Sequence, residues 1–166
     1  MNIEEEMLKA YNSHADSILK FCLYRVYDKE TAEDLTQETF LHLYTYLLKG
    51  NSIANVRSFL YHTANNIIID YSRKQKEVSL DIMMDNGFEP AGKVENFGLD
   101  EEWLINVIKQ IRKDYSAPLL LRYVEELKPK EIAQVLGKSQ NEISVKIYRG
   151  LKKLKQILAE GGLHEV

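Results

Sequence analysis

Three stretches of the chain carry apolar residues at helical spacing. In "TAEDLTQETFLHLYTYLLKG", Leu35, Leu43 and Leu47 fall on one side of a helix that Thr31 is placed to cap. In "NVRSFLYHTANNIIIDYSRKQ", Val56, Leu60, Ala64, Ile67 and Tyr71 form a second stripe. Near the C-terminus Ile143, Ile147, Leu151, Leu154 and Leu158 form a third, which faces Ile132, Ala133 and Leu136 of a preceding short helix. Strand-like alternation is absent elsewhere and no internal repeat is apparent, so the pattern predicts an all-α protein.

Between the second and third stripes the periodicity lapses. Residues 77–102 hold eight acids against Lys93 alone, with Gly87, Pro90, Gly92 and Gly98 among them. A loop of that length is unusual inside one compact domain. The sequence therefore predicts two small helical domains, residues 1–76 and 103–160, joined by a flexible acidic linker over 77–102. In the C-terminal domain Pro129 suits a first helical turn, Gly137 can end a helix in the left-handed region, and Ser139 with Glu142 matches a capping box. A helix-turn-helix unit is the expected result.

Composition narrows the function. No apolar run approaches the length of a membrane span, and the start "MNIEEEMLK" is acidic where a secretory signal would be basic and then apolar. A cytoplasmic protein without stable membrane insertion is expected. The single Cys22 sits among apolar residues that would bury it, and His14, His42, His62 and His164 show no pairing at metal-ligand spacing. Neither a metal, a cofactor nor an enzymatic nucleophile with its base is predicted.

The outward faces carry the remaining chemistry. From Lys128 to Lys155 eight basic residues oppose two acids, although the whole chain has a formal charge of −3. On the last helix Gln140, Asn141, Val145, Lys146, Arg149 and Lys152 collect opposite the apolar stripe. Such a face suits a DNA major groove: Asn141 would read a base edge, Val145 would touch a thymine methyl, and the basic residues would hold phosphates. Glu142 fits a cap or a cytosine contact equally well. The second helix presents His62, Asn65, Asn66, Ile69, Arg73 and Lys76 on the side away from its stripe, with Phe59 and Tyr61 on the flanks, a platform of rings, amides and cations for unstacked bases. Asn66 and Asp70 can alternatively bond within the domain. On the first helix Asp34, Gln37, Glu38 and Leu41 share a face with Leu48, and acids beside outward leucines fit a basic helical partner.

Together these residues resemble the extracytoplasmic-function (ECF) sigma factors of bacterial RNA polymerase. "AEDLTQETFLHLY" is similar to that family's polymerase-docking segment, "SFLYHTANNIIIDYSRKQ" to its minus-ten helix, and "LLLRYVEELKPKEIAQVLGKSQNEISVKIYRGLKKLKQIL" to its minus-thirty-five module. The resemblance implies that Asp34, Gln37, Glu38 and Leu41 grip the clamp helices of polymerase's largest subunit. It also implies contact with the polymerase flap, recognition of promoter DNA, and an anti-sigma factor as a further partner. Asn66, Asp70 and Arg73 match the family pattern; Phe59 stands where tryptophan is usual, Asn65 where a basic residue is common, and Glu142 and Ser144 where threonine and lysine are frequent. The acidic linker is similar in position and charge to the one the family threads toward the polymerase cleft. A rival from the residues alone is a self-sufficient helix-turn-helix repressor acting as a dimer. An acidic chain with one small basic face would hold DNA only at about 10⁻⁴ to 10⁻⁶ M by itself, so the expectation is that polymerase supplies the rest by presenting both domains at once.

Overall fold

A computed structural model of the chain describes residues 2–86 and 99–160, and every regular element among them is helical. Helix α1 spans Ile3–Val26, α2 Lys29–Leu48 and α3 Val56–Asn86. After residues 87–98, α4 spans Leu99–Lys109, α5 Lys113–Leu119, α6 Pro129–Leu136 and α7 Gln140–Ala159.

Local chemistry sets the ends. Asn2 caps α1 by accepting from the Glu5 N–H at 2.8 Å, and Glu4, Glu5 and Glu6 suit the positive end of the helix dipole. Tyr27 stops α1 with φ 61°. The cap of α2 is Asp28, not Thr31: its carboxylate accepts from the Thr31 N–H at 3.0 Å and from the Thr31 hydroxyl. An ionised oxygen beside the orphan amides outcompetes a hydroxyl three residues later, so the helix starts earlier than its apolar stripe.

Helices α1, α2 and α3 pack together around Ile18, Phe21, Leu43, Leu60 and Ile68, all essentially without exposure. Thr36 and Thr39 are also buried, and their hydroxyls donate to the carbonyls of Ala32 and Leu35 at 2.7 and 2.8 Å, which satisfies them inside α2.

In the C-terminal half α5, which contains Pro118, runs into a π-helical segment, Leu120–Val124. The wide turn is closed by the Glu125 N–H on the Leu120 carbonyl at 3.0 Å, and Glu126 leaves it with φ 58°. Pro129 opens α6, Gly137 ends it at φ 66°, and Ser139 Oγ accepts from the Glu142 N–H at 3.1 Å to start α7. The helix-turn-helix forms as expected, except that the buried stripe of α7 finishes on Ile157, while Leu158 is 43% exposed. At Gly150 an added Cβ would meet Leu119 Cδ1 at 2.8 Å, so α7 lies very close on α5.

Two differences from the sequence reading concern the connector. Helix α3 continues to Asn86 and α4 begins at Leu99, so both ends of the expected linker are helical; the rest of it lies outside the described residues. The two helical units also share one buried cluster, because α6 packs on α3, and the cluster runs from Ile18 and Phe21 through Ile68 to Ile105, Leu121, Leu127, Ile132 and Ile143.

Candidate functional site

Three faces bear the candidate residues. On α2, Asp34, Gln37, Glu38 and Leu41 are all exposed, Leu41 to 60%, and Leu48 joins them. The His42 ring lies 3.9 Å from the Glu38 carboxylate. Among the described residues, the Glu38–His42 pair is the one ion pair on this acid-and-leucine surface.

On α3 the candidates divide. Asn66, Ile69, Arg73 and Lys76 are exposed, with Ile69 at 50%. Arg73 donates to Asp70 and Lys74 lies 3.2 Å from the same carboxylate, which holds the Asp70 carboxyl below its usual range. The His62 Nδ1 lies 2.8 Å from the Val135 carbonyl and its Nε2 lies 3.2 Å from Asn66 Nδ2. A carbonyl only accepts, so for a neutral ring Nδ1 carries the proton and Nε2 accepts from Asn66. Asn66 and Asp70 thus bond to neighbours on α3, with Asn66 exposed and Asp70 half-buried.

Tyr61 and Asn65 do not join this face. Asn65 is 4% exposed and its amide oxygen accepts from Arg25 Nη1 at 3.0 Å; the middle of α3 needs a polar partner for a cation on α1, and an amide provides it. Tyr61 is 1% exposed, edge-on to Phe21 at 5.5 Å between ring centres, with its hydroxyl donating to Glu125. Phe59 is half-buried and leans on Tyr46 at 5.0 Å. Together with Leu41, His42, Thr45 and Lys49 these two rings line a cleft of about 350 Å³ that joins the α2 face to the start of α3.

On α7, Gln140, Asn141, Val145, Arg149 and Lys152 are exposed as expected. Lys146 is drawn in toward Glu142 at 3.7 Å, so its ammonium is already engaged. A second surface of this unit is an apolar groove of about 240 Å³ between α4, α5 and α7, lined in part by Ile111, Leu119, Tyr123, Leu151 and Leu154.

Comparison with known proteins gives these faces a context. Residues 10–78 match the family model "Sigma-70 region 2" and residues 101–154 match "Sigma-70, region 4". The ECF RNA polymerase sigma factor SigM of Bacillus subtilis (strain 168) is 30% identical over 158 residues, which cover 91% of this chain and 94% of SigM. The chain belongs to the ECF sigma factors of RNA polymerase. RNA polymerase sigma factor SigZ of the same organism is 31% identical over 173 residues, covering 99% of the chain and 90% of SigZ. The fold of this sigma factor is also that of CnrH, solved with the cytosolic domain of CnrY, at a TM-score of 0.74 and 16% identity, with 95% and 90% of the two chains covered. It is likewise that of the sigma factor RpoE of Bartonella quintana, solved with the anti-sigma factor NepR, at a TM-score of 0.70 and 14% identity over 94% and 96% of the chains. The repressor reading is not supported: both matched regions belong to sigma factors. No helix among the described residues of the sigma factor is long and apolar enough to cross a membrane.

Two residues of this sigma factor escaped the sequence reading. Tyr148 is 69% exposed on α7, three residues beyond Val145 and one before Arg149, and its position on the edge of the basic face was the available signal. Glu125 is buried to 7% exposure although it is an acid, and nothing local in "RYVEELKPK" announces it.

Proposed function

We propose that the three faces divide the work of promoter recognition, by binding rather than catalysis, in the compartment where polymerase acts. Asp34, Gln37, Glu38 and Leu41 dock on the clamp helices of polymerase's largest subunit, and the apolar groove of the C-terminal unit receives the flap. Asn141, Val145 and Tyr148 read the upstream major groove while Arg149 and Lys152 hold its phosphates. His62, Asn66, Ile69, Arg73 and Lys76 meet the strand that opens at the minus-ten element, with the cleft beside Phe59 accepting an unstacked base. Because the sigma factor RpoE, of this fold, has been solved with the anti-sigma factor NepR, and CnrH, also of this fold, with the cytosolic domain of CnrY, a protein partner is proposed for this chain too.

The observation that carries this reading is the separation of charge on one fold: an exposed acidic docking face on α2 and an exposed basic reading face on α7. Each face alone is weak, and a large assembly holding both at a fixed distance makes the pair strong. The test is in vitro transcription with purified core polymerase and genomic DNA, followed by sequencing of transcript starts. Starts that share two spaced sequence elements are expected. Starts indistinguishable from those of core enzyme alone, or tight promoter binding by the isolated chain at physiological salt, would overturn it.

A further inference from the structure

Arg25 is a half-buried cation with no anion beside it. It stands in the last turn of α1, where its guanidinium lies over the Phe21 ring at 5.4 Å and Nη1 donates to the Asn65 amide oxygen at 3.0 Å. Both partners are neutral. No carboxylate among the described residues lies within ion-pair distance of it, and Asp28, the acid nearest in sequence, already accepts from the Thr31 N–H and hydroxyl at the start of α2. Burial draws the Arg25 pKa below its ordinary value, as it does for a charge taken out of water without a counter-ion. The helix dipole favours a cation in a last turn, yet an exposed one has that gain without the desolvation. A guanidinium is a planar fork of N–H donors that keeps its charge when buried, which suits it to a phosphate. What this position lacks is the anion.

On α3, Asn65 is followed by Asn66 and, one turn on, by Ile69, both exposed members of the strand-capture face. The guanidinium therefore stands beside that face, although a different helix supplies it. We propose that Arg25 is a phosphate-holding residue of this sigma factor, its guanidinium gripping the backbone of the single strand whose bases α3 captures. The work is then divided between helices: α3 meets bases, and the end of α1 meets the sugar-phosphate chain. This assignment rests on the reading of α3 as the strand-capturing helix.

The experiment uses the full chain in complex with core polymerase and a fluorescent random-sequence single-stranded oligonucleotide, titrated at several salt concentrations. Arg25→Gln keeps a donor for Asn65 and removes the charge, so affinity should fall about tenfold and the salt dependence should flatten by about 0.7 unit of slope, the value for one single-strand phosphate. Arg25→Lys should keep the slope. Exchanging the pair, Arg25→Asn with Asn65→Arg, returns the guanidinium from the other helix and should restore affinity and slope together. On an oligonucleotide with a neutral methylphosphonate backbone, the native chain and Arg25→Gln should bind alike. Circular dichroism and denaturant unfolding establish that each variant is folded. Arg25→Leu with Asn65→Ala, which removes both polar partners, replaces Arg25→Gln if that variant does not fold. A folded variant without the charge that keeps the native slope on the ordinary strand would overturn the proposal. So would a loss confined to retention on core polymerase, which would give the guanidinium to a protein carboxylate. Asn66→Ala and Ile69→Ala report on the underlying reading: if they weaken strand binding and Arg25→Gln does not, Arg25 alone is misplaced. If neither weakens it, α3 does not capture the strand and the assignment of Arg25 falls with it.

Discussion

Arg25 on α1 donates from Nη1 to the amide oxygen of Asn65 on α3 at 3.0 Å, with its guanidinium over the Phe21 ring at 5.4 Å. Asn66, the next residue, is exposed, and its side-chain amide lies 3.2 Å from His62 Nε2. Two adjacent amides therefore have separate duties. Asn65→Ala leaves a guanidinium without its acceptor and is expected to lower unfolding stability by about 1–3 kcal/mol. Asn66→Ala should stay within about 0.5 kcal/mol of the native chain. Promoter opening by the holoenzyme, followed by permanganate footprinting, should respond the other way, falling for Asn66→Ala once stability is matched by temperature. The reverse pairing of effects would move Asn65 to the DNA.

The α2 face makes a cleaner case, because its members have almost no internal roles. Asp34→Lys with Glu38→Lys removes two acids and adds two cations on an exposed surface, so folding should be unchanged while retention on immobilised core polymerase is lost. Circular dichroism and a pull-down at low and moderate salt check both halves. Undiminished retention would mean that docking lies elsewhere.

Much of this was legible in the sequence because helical period and surface chemistry are local properties. The stripes containing Leu35, Leu60 and Ile143 are buried where their spacing put them, and Gly137, Pro129 and Ser139 punctuate the helix-turn-helix as their backbone preferences require. What escaped were relationships between distant segments. Asn65 reads as a surface amide until Arg25, forty residues earlier, is placed beneath it. Tyr61 reads as a flank residue until Glu125 reaches it from the other unit. Likewise Thr31 has the right residue type for a cap, and loses the position to Asp28, whose charge only the backbone's exact path reveals as better placed.

On α7 the exposed residues are expected to separate by what they touch. Arg149→Ala should weaken binding to every promoter variant and reduce the steepness of the salt dependence by about one unit of slope, as loss of one phosphate contact does. Asn141→Ala, Val145→Ala and Tyr148→Ala should instead change the ranking of upstream sequences, each by about 1–3 kcal/mol at the affected base pair. Holoenzyme binding to a panel of single-base variants at several salt concentrations distinguishes the two classes. Equal losses across the panel for all four would abolish the division between reading and holding.

Cys22 offers a check on the core itself. It is fully buried, and burial pushes its thiol up to about 11 from an ordinary 9.0, against the opposing pull of the Thr36 hydroxyl and Arg25. A thiol whose folded value is raised supports the fold fully below the ordinary value and loses that support as pH rises through the folded one. Stability should therefore decline between about pH 9 and pH 11, with this thiol contributing on the order of 2–3 kcal/mol of the loss. Tyr61 is shifted upward too, by burial and by the neighbouring Glu125, and it adds to the alkaline decline. Cys22→Ala should flatten the slope in that window without abolishing it, whatever its effect on stability at neutral pH. In the native chain at pH 8, a disulfide-exchange reagent should label Cys22 only as fast as the core opens, and the rate should climb with denaturant in step with unfolding. Rapid labelling without denaturant would place the thiol at the surface and undo the packing of α1 against α2.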